Sequence, residues 1–337
     1  MKERNCSIDI FRYLCAVLVV AVHTHPFTDV SRGLGDLFTQ ILPRIAVPFF
    51  FAVAGYYYLE GLKAGKKGFW QYLRRILKPY LLWSCVYYLV EFLQKGYQAP
   101  GKFLLRCVYT FFLSGSSYHF WFFPALIFAV CAATVIFRLR WEKILLPLSF
   151  VLYAVGCFGC SYRALGLRIP GLSALYTLEK FTAIRRILLM GFPFFLSGLL
   201  VSKILERLKR RRIAPGKLWL PWLVLVGLWL LEIVLVRCMD WQENIILTFG
   251  LYPLTVATLV LLLCHPMPQH RELSRRCRTM ADFTYYAHPL VITLLSFGAE
   301  RALGREIPET LLFVLVVLIT GLLGVGIHRR KDHAHTY

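Results

Sequence analysis

The run SIDIFRYLCAVLVVAVHTHPF, residues 7–27, is long and apolar enough for a membrane helix, yet it holds Asp9, Arg12, His23 and His25. Ionisable groups are costly in hydrocarbon and persist there where function holds them. Asp9 and Arg12 are three residues apart and can pair along one helical face. Arg12 and His23 are eleven apart. At about 100° per residue that spacing is about three turns, which returns both to nearly one face, roughly 16 Å apart along the axis. The stretch therefore predicts a helix whose polar residues line a buried passage.

Outward from it, the whole chain has the same character. Of 337 residues, 58% are hydrophobic and 17% charged, and apolar runs recur from end to end. This composition excludes a soluble globular protein and predicts an all-α, polytopic integral membrane helix bundle. Taking runs of about 17 to 25 residues as spans gives ten, near 8–27, 37–59, 76–93, 119–137, 142–158, 186–203, 217–236, 245–264, 281–298 and 309–327. No soluble stretch exceeds a loop, so residues 1–337 are expected to form one transmembrane domain, with the first run retained as a helix rather than cleaved.

The net charge of +21 raises nucleic acid as a partner, but Lys and Arg fall in short clusters between apolar runs, without the stacking positions a nucleic-acid surface uses. Their distribution is topological. Clusters at Lys2 and Arg4, Lys63 to Lys78, Arg138 to Lys143, Lys203 to Lys217, Arg271 to Arg278 and Arg329 to Lys331 fall on one side of the expected bundle. The positive-inside bias makes that side cytoplasmic, together with both termini. Ten cysteines are scattered, mostly in apolar runs; only Cys157 and Cys160, in CFGC, have a spacing suggestive of a disulfide or metal. No zinc-ligand spacing, phosphate-binding loop, dinucleotide fingerprint or nucleophile elbow is present.

Two outer connections, 94–118 and 159–185, are long, and the piece FLLRCVYTFFLSG in the first predicts a helix lying at the interface. Pro48, Pro124, Pro193 and Pro253 lie in or near spans, where kinks would free backbone carbonyls around a cavity. No internal repeat is evident.

Further constellations carry chemistry. In FWQYLRRILKPYLLW, Arg74, Arg75 and Lys78 anchor the inner face or seat phosphates of a multiply phosphorylated ligand. In YHFWFFPAL, His119 and Trp121 belong to an aromatic belt or to an acceptor pocket. In AIRRILLMGFPFFLSG, Arg185 and Arg186 run against the inside bias, for an anionic acceptor or a salt bridge to Glu179. In DFTYYAHPL, Asp282, Tyr285 and His288 share one half of a span, Tyr285 and His288 on one face. Glu91 and Glu232 are further membrane-level acids, expected to pair with basic residues.

These pieces in this order resemble the acyltransferase 3 family of membrane proteins over nearly the whole chain. The family's Arg, ten residues, then His is met by Arg12 and His23, and its Phe-Phe…Ser-Gly stretch by PFFFAVAGYYY at 48–58, with Ala54 in place of Ser and Gly55 kept. Arg74, Arg75 and Pro79 match its basic pair before Pro-Tyr, and Tyr285 and His288 its late Tyr-x-x-His. The pieces IDIFR, VAVH, AVPFFFAVAGYY, YHFWFFPALI and Arg186 to Gly198 are similar to the membrane half of the membrane-bound serine racemases of vancomycin resistance. Those proteins continue into a racemase domain that binds pyridoxal phosphate. The chain is expected to end without it, which leaves pyridoxal phosphate and racemisation out.

The resemblance implies transfer of an acyl group, commonly acetyl from cytoplasmic acetyl-CoA, to a hydroxyl of a cell-surface glycan, lipid or small molecule, without a metal. It implies a multi-pass protein of a bacterial plasma membrane with His23 as base or proton relay, Arg12 holding the donor's charge or orienting the histidine, Asp9 one turn from Arg12, and Arg74, Arg75 and Lys78 toward the donor's phosphates. His119, Trp121, Arg186, Tyr285 and His288 then face the acceptor. Ala54 removes a hydroxyl contact, and no serine nucleophile stands out, so direct transfer is expected. The rival classes are a carrier of serine or another small amino acid, by resemblance to the racemase membrane half, and a membrane scaffold that leaves the buried Arg and His unexplained.

Overall fold

The computed structural model describes residues 5–65, 68–97, 99–178, 181–242, 244–267 and 270–333. Lys2, Arg4, Lys66, Lys67 and Glu179, named above, lie outside the described residues. No strand occurs among those described. The principal helices are α1 (Cys6–Thr24), α2 (Ala46–Lys63), α3 (Phe69–Lys95), α4 (Pro100–Leu113), α5 (Phe122–Arg138), α6 (Glu142–Phe158), α7 (Phe192–Arg210), α8 (Trp219–Cys238), α9 (Leu251–Cys264), α10 (Arg271–Leu303) and α11 (Glu309–His333). Every apolar run picked out in the sequence holds one of these, and α4 is the added amphipathic helix. Among the described residues six stretches are long and apolar enough to cross a membrane: Cys6–Thr24, Arg32–Lys63, Phe69–Lys95, Phe181–Arg210, Pro215–Cys238 and Glu309–His328. With the shorter apolar helices, they make an all-helical polytopic membrane protein.

Several boundaries differ from the hydropathy reading: α3 starts at Phe69 rather than near 76, α7 runs to Arg210 rather than 203, and two further shifts have a clear local cause. The segment Arg271 to Arg278, expected as a loop, is the first two turns of α10. It contains no Gly or Pro to stop a helix, and Glu272 accepts from Arg276 one turn on at 2.6 Å. Conversely, α9 starts at Leu251 rather than near 245, because the chain before it is a loop whose last amides are capped by a side chain described below. The prolines also fall differently. Pro124 and Pro253 are the third residues of α5 and α9, which follow non-helical chain, so a missing N–H there costs nothing and they start helices instead of kinking them. Pro48 and Pro193 lie inside the longer helical stretches Arg32–Lys63 and Phe181–Arg210, each just after 3-10 or π-helical turns that lead into α2 and α7. Pro79, Pro147 and Pro289 lie within α3, α6 and α10.

Three helices end alike. After α5, α7 and α8 the chain turns through a left-handed Arg140 (φ 57°), Arg212 (φ 51°) and Asp240 (φ 50°). In each, that residue's N–H and the next one's return to carbonyls of the last turn, as Arg212 to Lys209 at 3.2 Å and Ile213 to Leu208 at 3.1 Å. This closure usually employs glycine, because side chains are disfavoured at positive φ.

By its internal contacts the chain forms two compact units, residues 1–50, 214–219 and 258–337 in one, and 51–213 and 220–257 in the other. In the first, α1, α10 and α11 pack on one another around Val20, Val291 and Val316. The start of α1 is tied down by side chains: Asn5 donates to the carbonyl of Leu262 at 2.9 Å, and Ser7 donates to that of His265 at 2.9 Å. At the other end, the exposed carboxylate of Asp29 accepts from the Thr310 hydroxyl and, at 3.3 Å, from the Thr310 N–H, an otherwise open donor in the first turn of α11.

In the second unit, α2 and α7 touch backbone to backbone. A Cβ on Gly55 would lie 1.9 Å from the Phe195 carbonyl oxygen, and one on Gly198 would lie 2.2 Å from the Tyr56 nitrogen. Small residues at such crossings let membrane helices approach closely enough for dispersion contacts to act over their whole length. The crossing is locked by Ser202, which donates to Glu60 at 2.7 Å, and by Tyr58, which packs on Phe195 and shares a hydrogen bond with Thr134 at 2.5 Å.

Gly55→Ala is expected to lower unfolding stability by about 2 kcal/mol or more, since rigid backbone must move. Gly227→Ala on α8, where a Cβ meets nothing within 4 Å, is expected to be neutral or stabilising. Thermal melts in detergent compare the two. The Thr310 hydroxyl bond is the leading cause that holds the Asp29 carboxyl below its ordinary value. A depressed folded value means that the contact stabilises above the unfolded pKa of about 4 and fades as pH falls through the lower, folded one. Hydrogen exchange at the α11 N-terminus is expected to speed, relative to Thr310→Val, as pH drops below about 4.

Candidate functional site

In the first unit α1 and α10 bring six of the sequence-selected residues into two clusters. Arg12 lies against Asp282 of α10, Nη2 to Oδ1 at 3.0 Å, and is 3.8 Å from Asp9 on its own helix. Asp9, 7% exposed, accepts in turn from the Ser274 hydroxyl. The expected Asp9 to Arg12 pair is therefore the longer of two, and the shorter partner comes from the far end of the chain. These contacts clamp α1 to α10.

Further along α1, His23 stacks on His288 of α10 with ring centroids 5.4 Å apart and planes 20° from parallel. His288 is fully buried. Its Nδ1 lies 3.0 Å from the carbonyl oxygens of both Thr284 and Tyr285. The sequence explains the second contact. Pro289 has no N–H for the carbonyl four residues before it, so the Tyr285 oxygen, which a helix would otherwise occupy, is left to the His288 ring. An imidazole nitrogen beside two acceptors carries the hydrogen, which places the basic lone pair of the neutral ring on Nε2. The Tyr285 ring lies 6.4 Å from that of His288 and 6.3 Å from that of Phe50. His25 is exposed and caps α1 in a left-handed conformation at φ 50°, its N–H on the Ala21 carbonyl at 3.1 Å.

The second unit holds the other candidates. Trp121 and Arg186, chosen separately in the sequence, meet: the guanidinium lies over the indole, Cζ 5.2 Å from the ring centroid. Arg186 occupies a π-helical stretch, Arg185–Gly191, that leads into α7, and Arg185 donates to the Cys160 sulfur at 3.5 Å. Wide turns of this kind concentrate at functional sites. His119, in the turn before α5, is buried at 3% exposure, its Nδ1 3.2 Å from the Ser117 hydroxyl and its ring edge-on to Tyr87 at 5.4 Å. Arg74, Arg75 and Lys78 are exposed along one side of α3. Cys157 and Cys160 are buried free thiols. Among the described residues no cluster of His, Cys, Asp or Glu has the makings of a metal site.

The two membrane-level acids have different partners. Glu91 is paired as expected, with Lys95 at 2.8 Å and Arg106 at 2.7 Å, and so fastens α4 to α3. Glu232 instead accepts from the N–H groups of Phe249 at 2.6 Å and Gly250 at 2.7 Å and from the Tyr162 hydroxyl at 2.5 Å. It caps the start of α9, where a carboxylate meets both open amides and the positive end of the helix dipole. Ser274 and Pro289 were not singled out from sequence. The signal for Pro289 was present in His288-Pro289, since a proline inside a helix frees the carbonyl four residues back.

An all-helical membrane protein whose first helix carries an Arg and a His in polar contact with a late helix is the class these features define. The family model described as an acyltransferase domain matches residues 5–329, and the chain belongs to the acyltransferase 3 family. An amino-acid racemase of Enterococcus faecalis is 28% identical over 341 residues, which cover 96% of this chain and 46% of that protein. A serine/alanine racemase of Enterococcus gallinarum is 43% identical over 54 residues, 16% of this chain and 8% of that one. The chain spans less than half the length of the first of these relatives. No solved structure matches.

The clamp predicts strong coupling. Arg12→Gln and Asp282→Asn are each expected to destabilise the protein, while the double variant costs less than their sum by about 1 kcal/mol or more in a double-mutant cycle on thermal unfolding.

Proposed function

We propose that this chain is an integral-membrane O-acyltransferase that moves an acyl group, acetyl by preference, from cytoplasmic acyl-CoA to a hydroxyl of a cell-envelope glycan, lipid or small molecule. The single observation that carries the reading is the His23–His288 pair, set in the membrane on α1 and α10 and ordered by Pro289. Family membership supports it independently.

In this mechanism a ring nitrogen of His23 takes the proton of the acceptor hydroxyl as its oxygen attacks the thioester carbonyl. The new C–O bond forms, the C–S bond breaks, and the proton passes to the departing thiolate, which leaves as free CoA. Direct transfer of this kind leaves no acyl-enzyme. His288 is a positioning residue: its own ring is held by two backbone carbonyls, and the stack fixes the plane of His23. Arg12 also acts by position, through its hold on Asp282. The donor's phosphates fall to Arg74, Arg75 and Lys78, exposed cations suited to phosphate. Trp121 and Arg186 offer the acceptor a ring face with a cation fixed above it.

His23→Ala is expected to reduce transfer of labelled acetyl from acetyl-CoA in membranes by about 10²-fold or more, with expression intact. Unchanged transfer would sink the mechanism. His288→Phe keeps a ring in the stack, so it is expected to retain more activity than His288→Ala. Pro289→Ala returns a backbone N–H to the Tyr285 carbonyl and is expected to lower kcat with little change in KM for acetyl-CoA.

A second reading has one observation in its favour: a relative named as an amino-acid racemase aligns with nearly this whole chain. On that reading the polar helix pair passes serine or another small amino acid. Purified protein in liposomes would then accumulate labelled serine without acetyl-CoA, and His23→Ala would abolish uptake instead of transfer.

A further inference from the structure

The cytoplasmic extension of α7 carries a feature that the acyl-transfer reading does not use. From Phe192 to Ser202 nearly every side chain is buried, and from Lys203 onward the helix is open to its surroundings. The helical stretch Phe181–Arg210 has 30 residues, roughly 45 Å at helical rise against about 30 Å of hydrocarbon. Its basic end therefore stands at headgroup level, and the positive-inside bias puts that end on the inner leaflet.

At this end the helix is shaped as well as charged. A cavity of about 680 Å³ is lined by Ile204, Arg207, Leu208, Arg210, Arg211 and Ile213. Residues 204, 207, 208 and 211 follow the i, i+3, i+4, i+7 spacing of one helical face, so two guanidinium stems alternate there with two aliphatic side chains. Ile213 joins them through the left-handed turn at Arg212, whose closure returns the Ile213 N–H to the Leu208 carbonyl at 3.1 Å. In this closure the residue after the turn packs on the one it bonds to, which completes an apolar floor beneath three arginines. Among the described residues that line it there is neither an acid, Glu206 included, nor an aromatic ring. Guanidinium forks match phosphate oxygens in pairs, the aliphatic floor matches glycerol and the first acyl methylenes, and an adenine ring would find nothing to stack on.

We infer that the cavity at the end of α7 is a binding site for the headgroup of an anionic phospholipid of the inner leaflet. The site docks the basic end of α7 to the membrane surface, and the inference is independent of the reaction proposed above.

The test uses the purified full chain and native mass spectrometry, with dioleoyl-phosphatidylglycerol or dioleoyl-phosphatidylcholine added in matched amounts. The phosphatidylglycerol is expected to bind at least tenfold more tightly, and R207Q/R210Q/R211Q to remove that preference. R138Q/R140Q/K143Q deletes as many charges from another basic cluster and is expected to change binding less than twofold. Ile213→Ser, an exposed change that leaves the charge intact, is expected to weaken phosphatidylglycerol several-fold. Four results would overturn the inference: equal binding of the two lipids, equal losses in the two triple variants, an unaltered Ile213→Ser, or displacement of the lipid by coenzyme A at equimolar concentration. The last would make the cavity a donor site instead.

Discussion

The ion pair between Arg12 of α1 and Asp282 of α10 is the contact on which the first unit depends, because it spans 270 residues of chain. A lone arginine at this depth would be costly, and so would a lone aspartate; each makes the other tolerable. Asp9 and Ser274 extend the pair into a short network that also fixes rotation. With that rotation set, His23, nearly three turns along α1, has to meet whatever α10 presents at the same height. It presents His288. The histidine pair keeps the register of the Asp9–Ser274 contact, with equal spacing along α1 and α10.

The second unit relies on apolar geometry in the same way. Its governing contact is the crossing of α2 and α7, where neither Gly55 nor Gly198 leaves room for a methyl group. Polar groups around it are satisfied locally: Glu60 by Ser202, Glu232 by two amides and a tyrosine, Glu91 by two cations. In a solvent that offers no hydrogen bonds, each carboxylate must find its donors within the protein.

Much of this was legible in the sequence because it follows from period and transfer free energy. Apolar runs located every major helix, an amphipathic run located α4, and the eleven-residue spacing put Arg12 and His23 on one face. Long-range partners were not legible. Nothing near Arg12 names Asp282, and nothing near Trp121 names Arg186, since such pairings arise from packing. The expectation that Glu232 needs a cation failed for a different reason: helix amides serve a carboxylate equally well, and a sequence does not reveal where an open helix end will lie. The proline reading failed at 124 and 253 because position within a helix decides the effect; at a first turn the residue is silent, while at 289 it releases a carbonyl.

The left-handed arginines at the ends of α5 and α7 place two demands on one residue. Glycine is the easier choice for that turn and would relieve the backbone at 140 and 212, but it carries no charge. With arginine there, the position that terminates the helix also holds a cation beside its last carbonyls, at the negative end of the dipole. Helix termination and a positive charge are thereby supplied by one side chain at each of these two positions.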